Sequence, residues 1–103
     1  MFGRNFNPAP IIEKLESGDL SLNADAADLP LVKPIAFFSY RSDEGVFVHS
    51  FFHNGKGVYL SLYLKDEKIF SALKIDTKKM EEKHYFHDAE LMKQFIRANK
   101  SET

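Results

Sequence analysis

Cysteine and tryptophan are both missing from this 103-residue chain. Without cysteine there is no disulfide framework, no thiolate nucleophile and no Cys-based zinc site, so burial of apolar surface must supply the stability. No run of about 18 apolar residues is present that could span a bilayer. The start, Met1-Phe-Gly-Arg-Asn-Phe-Asn-Pro8, lacks the apolar core of a secretory signal. Nor is either charge in excess: the net is −1, from 14 Lys and Arg against 15 Asp and Glu, which argues against general attraction to nucleic acid or anionic membrane. A soluble cytoplasmic protein without membrane association is the expectation.

What the chain has in quantity is aromatic side chains, 10 Phe and 4 Tyr. At 11.8 kDa there is room for a single domain, residues 1–103, with one core. A chain of this size buries roughly two-thirds of the surface it exposes when unfolded. Residues 1–30 carry five acids against Arg4 and Lys14, whereas residues 31–80 carry eight Lys and Arg against five acids. That local excess reads as a solvated sheet rim.

Asn7 followed by Pro8 has the form of an N-cap with proline at the first helical position. A helix over about 8–17 follows, with Ile11, Ile12 and Leu15 on one face and Gly18 placed to take the left-handed terminal conformation. Residues 21–30 read as a connector. At the other end, Asp88 caps a helix over about 89–99, with Leu91, Met92, Phe95 and Ile96 as its apolar stripe. The charged run Thr77–Lys83 between sheet and helix reads as a connector, and His84-Tyr-Phe-His as aromatics beside the cap.

Between these helices four β-type runs occupy about 32–75. In Val58-Tyr-Leu-Ser-Leu-Tyr-Leu64 the even positions are all aliphatic, which makes the even face the core face. The turn before it suits a three-residue loop Gly55-Lys56-Gly57 with Gly57 left-handed, pairing Phe52 with Leu60 and Val48 with Leu64. A two-residue Asn54-Gly55 turn is the rival. The next turn, Lys65-Asp-Glu-Lys68, pairs Leu64 with Ile69, Leu60 with Leu73 and Val58 with Ile75. Val48, Leu60, Leu62, Leu64 and Leu73 therefore share the expected buried face. In the first run, 32–41, Ile35 and Phe37 compete with Phe38 and Tyr40 for the core, and Pro34 places it at a sheet edge. The fold class is α+β: a four-stranded antiparallel β-meander flanked by an N-terminal and a C-terminal helix.

The same register leaves Phe47, His49, Phe51, His53, Tyr59 and Tyr63 together on the opposite face, and these are the candidate partner-binding residues. Two short helices can cover one side of such a sheet, which leaves this face to a protein partner, a second copy or the 21–30 connector. The alternative is one helix on each face. His49 and His53 are separated by about 13 Å of strand, too far to share a zinc ion bound at about 2 Å. His84 and His87 converge only if helical. No phosphate loop, nucleophile elbow or His-Glu-x-x-His is present, so neither catalytic residues, cofactor nor metal is expected. A metal-free acid–base role for His49 or His53 with a Lys and a Tyr remains the enzymatic alternative.

A four-stranded meander followed by a helix resembles the arrangement of the positive-cofactor-four and Pur class of single-strand-binding proteins, in which bases stack on sheet aromatics. The likeness is one of topology and implies no residue roles. It sets the alternative function: a nucleic-acid-binding module stacking bases on Phe47, Phe51, Tyr59 and Tyr63, with Lys56, Lys65, Lys68 and Lys74 along the backbone path. The preferred reading is a non-enzymatic protein-binding module, an inhibitor or immunity-type regulator of bacterial or phage origin acting by occlusion. Its basis is an aromatic surface of the type enriched at interface cores.

Overall fold

In a computed structural model that describes residues 7–102, entry into the first helix is set by Asn7, whose Oδ1 accepts the Ala9 N–H at 3.0 Å. Helix α1 runs Ala9–Ser17 and stops at Gly18, which adopts φ 86° and donates its N–H to the Leu15 carbonyl. Ile11 and Leu15 on its inner face are buried. The connector beyond is ordered by the sheet: Asn23 donates to the Ile69 carbonyl and Ile69 to that of Ala24. Asp25 then opens a 3₁₀ turn, Ala26–Asp28, by accepting from the Ala27 N–H.

The sheet has five strands rather than four, β1 Ala36–Ser42, β2 Gly45–His53, β3 Val58–Lys65, β4 Lys68–Asp76 and β5 Glu81–His87, antiparallel in sequential order. The added strand is β5, expected as connector and cap. Its charged start, Glu81-Glu-Lys83, hides the alternation, and an outer strand tolerates such charges because one edge faces solvent. The first strand also begins later than expected, after Pro34 rather than across it.

Pairing of β2 with β3 follows the three-residue loop: Val48 opposite Leu64 and Phe52 opposite Leu60, with Gly57 at φ 95°. Pairing of β3 with β4 begins as expected at Leu64 and Ile69, then shifts by one residue between Tyr63 and Leu64. Phe70 is the extra residue of this bulge. Past it Leu60 faces Lys74 and Tyr59 faces Ile75, so Leu73 and Ile75 lie on the face opposite Leu60. The expectation that Leu73 joins the Leu60 core is thereby corrected, because a bulge exchanges the faces of everything beyond it.

One helix lies on each face. Ile11 and Leu15 of α1, with Leu20 of the connector, cover Phe52, Leu60, Leu62, Leu64, Ile69 and Ala72. Helix α2, Ala89–Glu102, is capped by Asp88, which accepts from the N–H groups of Glu90 and Leu91. It crosses the other face and buries Phe47 and Phe70 beneath Phe95 and Ala98. Ile96, expected in its apolar stripe, is instead 47% exposed. Among the described residues no helix is long and apolar enough to cross a membrane.

Candidate interaction face

Helix α2 is tied at both ends to one end of the sheet. Asp88 donates its N–H to the Phe70 carbonyl, Gln94 accepts from Lys65 Nζ at 2.9 Å, and Arg97 reaches Glu44 in the β1–β2 turn at 2.6 Å. The helix thus spans the β1–β2 and β3–β4 turns and leaves the opposite end of the same face uncovered. That division sorts the candidate residues into two groups.

Phe47 is completely buried, with Phe70 and Phe95 edge-on at 6.2 and 6.3 Å and Lys65 Nζ over its ring. It belongs to the aromatic core and is not available to a partner, a correction that follows from α2 covering this end. Tyr63 is half-buried in the same cluster, 5.1 Å from Phe95. Burial and, secondarily, the Tyr40 hydroxyl raise its phenol pKa. His49 stacks on Tyr63, centroids 4.2 Å apart and nearly parallel, at the boundary between covered and open halves. Its Nε2 is buried without a hydrogen-bond partner among the described residues, and burial lowers its pKa.

Phe51, His53 and Tyr59 lie in the open half. Tyr59 stacks on His53 at 4.1 Å and on Phe51 at 5.4 Å. The structure thus keeps three of the six candidates together, part-buried, in the half that α2 leaves uncovered, places His49 at the border and puts Phe47 and Tyr63 under the helix.

Four further side chains share this face and escaped the sequence reading. Phe38, opposite His49, is 48% exposed. Leu73 and Ile75 arrive through the β4 bulge, and His84 through β5. Only Phe38 carried a usable signal, the unresolved parity of β1. His87 is on this face too, so all four histidines of the chain share it.

Among the described residues no group of three His, Asp or Glu side chains is placed to hold a metal ion. His84 and His87 meet edge-on with centroids 6.0 Å apart. Ser71 Oγ lies 3.1 Å from His87 Nδ1, but Ser71 is 2% exposed, so a substrate carbonyl has no approach to the hydroxyl.

At the open end the two turns touch: Thr77 gives its N–H and hydroxyl to the Gly57 carbonyl at 2.9 and 2.8 Å. This contact brings the turn of Lys56 and Gly57 against Lys78, in a rim that also carries Lys79 and the acids Asp76, Glu81 and Glu82. No family model, curated protein or solved structure matches this chain.

Proposed function

We propose that this chain is a small non-enzymatic protein-binding module, an inhibitor or immunity-type regulator of bacterial or phage origin that acts by occluding a partner protein. The observation that carries this reading is the half-face left open beside α2. There Phe38, Phe51, Tyr59, Leu73 and Ile75, rooted on four adjacent strands, give a firm and largely apolar platform. Aromatics fixed this way lose little entropy on binding and anchor interfaces. The lysines of the adjoining rim lie at the platform's margin and add little to an apolar contact.

The single-strand-binding alternative is favoured by those lysines and opposed by the rings. Stacking needs a free π-face, yet Tyr59 is already engaged by His53 and Phe51, Tyr63 by His49, and Phe47 is buried. Phe51 is engaged by Tyr59 in turn, so Phe38 alone among these rings has no stacked neighbour.

The test is affinity capture with the intact chain, followed by titration of the partner it identifies at two salt concentrations. Phe51→Ala should weaken that binding by roughly 1–3 kcal/mol, as for interface anchors generally, with little dependence on salt. In parallel, a fluorescent single-stranded oligonucleotide should not bind at low salt. Tight, strongly salt-dependent oligonucleotide binding that Phe51→Ala abolishes would transfer the face to nucleic acid.

A further inference from the structure

The two sheet edges differ in how they are protected. Strand β5 carries Glu81, Glu82 and Lys83, and its pairing with β4 is interrupted by a bulge, both common means of blocking further strand addition. Strand β1 is protected less: its one charge, Arg41, lies near its end, and its only irregularity is at its start, where the Ile35 N–H bonds the Phe51 carbonyl although Ala36 is the residue opposite. Ala36-Phe-Phe-Ser-Tyr40 is free of charge and proline, and its pairing with β2 runs without a shift. Phe37 and Phe38 project from its two faces at 54% and 48% exposure, with Ile35 beside them at 46%.

Which backbone groups face outward follows from β2. Val46 receives the Asp66 N–H on its carbonyl and gives its own N–H to Asp66 Oδ1, at 2.8 and 2.9 Å. Val46 therefore turns its backbone toward β3, and its neighbours in the alternation, Phe47 and His49, turn theirs toward β1. Their partners Tyr40 and Phe38 point inward in reply. Among the described residues, the N–H and C=O groups of Phe37, Ser39 and Arg41 face the edge away from β2 without a backbone partner.

We infer that a second copy of this chain pairs antiparallel with the β1 edge about a two-fold axis at Ser39, joining two five-stranded sheets into one. This occupant is specified by self-complementarity. Ser39 is the midpoint of β1, Ala36–Ser42, and pairing about it sets each outward-facing residue opposite another: Ser39 on Ser39, and Phe37 on Arg41 of the second copy. The guanidinium then lies against an exposed ring, a favourable cation–π arrangement. On the other face Phe38 comes opposite Tyr40 of the second copy, next to the helix that covers it.

The charges agree with this pairing. Lys33 before the start of β1 and Asp43 in the turn after its end carry opposite charges, so an antiparallel second copy brings unlike charges to both ends of the paired segment. Among the described residues neither makes an ion pair within its own chain. The proposal concerns the strand edge and shares one residue, Phe38, with the half-face; its register is tested at Phe37, Ser39 and Arg41, which lie outside that platform.

Sedimentation of the wild-type chain should give twice 11.8 kDa. Because the chain has no cysteine, Ser39→Cys reports the register directly: residues paired at the axis lie about 5.5 Å apart, within disulfide range. Oxidation should crosslink Ser39→Cys. Phe37→Cys alone should not crosslink, since its two copies are about 13 Å apart along the strands, but mixed with Arg41→Cys it should. Phe37→Lys, an exposed substitution that opposes two like charges, should weaken the dimer by about 30-fold or more with unchanged circular dichroism. A monomer persisting to about 1 mM, or a dimer that crosslinks equally through all three cysteine positions, overturns the proposal.

Discussion

His49 stacks on Tyr63 while its Nε2 is buried with no hydrogen-bond partner among the described residues. Charging that ring in place is unfavourable, which is why its pKa lies below the ordinary histidine value. The consequence for stability has a definite sign. In the unfolded chain His49 takes a proton near pH 6.5, whereas in the fold it resists one. Its contribution is therefore complete above about pH 6.5 and is lost as the pH falls from there through the lower folded value. Denaturant midpoints measured across that range should fall with pH, and His49→Phe, which keeps a ring against Tyr63, should flatten the fall. An identical slope in both proteins would show that another group carries the pH dependence. The leucines of β3 were legible from alternation with Tyr59 and Tyr63. The state of His49 was not, because it depends on a helix arriving from more than 40 residues away along the chain.

At the scale of elements, the caps and turn glycines were readable because their chemistry is local. Asp88 binds the N–H groups of its own helix, and Gly18 and Gly57 adopt the positive φ expected of them. The β3–β4 bulge had no such marker. Its turn, Asp66-Glu67, adopts φ 48° and 69° without any glycine, and the inserted Phe70 is as apolar as the residues around it. The result is a measurable reversal of a sequence-based expectation. Leu60 is fully buried between β3 and α1, whereas Leu73 is half-buried on the opposite face. Leu60→Ala should cost roughly 2–5 kcal/mol through lost transfer energy and a cavity. Leu73→Ala should cost clearly less, at or below the lower end of that range. Equal losses in urea unfolding would place Leu73 back in the Leu60 core. Strand β5 was missed for a related reason: at an outer position only Tyr85 and Phe86 need to be apolar, and two residues make no period.

For the whole molecule, the sheet is a shared wall between two cores of different character. The side chains buried under α1 are aliphatic apart from Phe52, whereas Phe47, Phe70 and Phe95 dominate under α2. The division follows from sequence parity, but the choice of one helix per face does not, since helix length alone also allows both on one side. It is settled by attachment. Lys74, Lys83 and Tyr85 hold Glu16 at the end of α1 on one face, with Tyr85 donating to the carboxylate at 2.5 Å, while Arg97 and Lys65 hold α2 on the other. Both cores draw on β2, β3 and β4, so neither can dissolve without exposing the back of the strands that form the other. Phe95→Ala should therefore lower global stability by roughly 3–5 kcal/mol rather than merely release α2. Unfolding followed by tyrosine fluorescence, with Tyr40 and Tyr63 beneath α2 and Tyr85 on the α1 face, should coincide with loss of far-ultraviolet dichroism in a single transition. If the fluorescence change preceded the dichroic one, α2 would be a separately unfolding unit, and the open half-face beside it would vary in extent with the state of that helix.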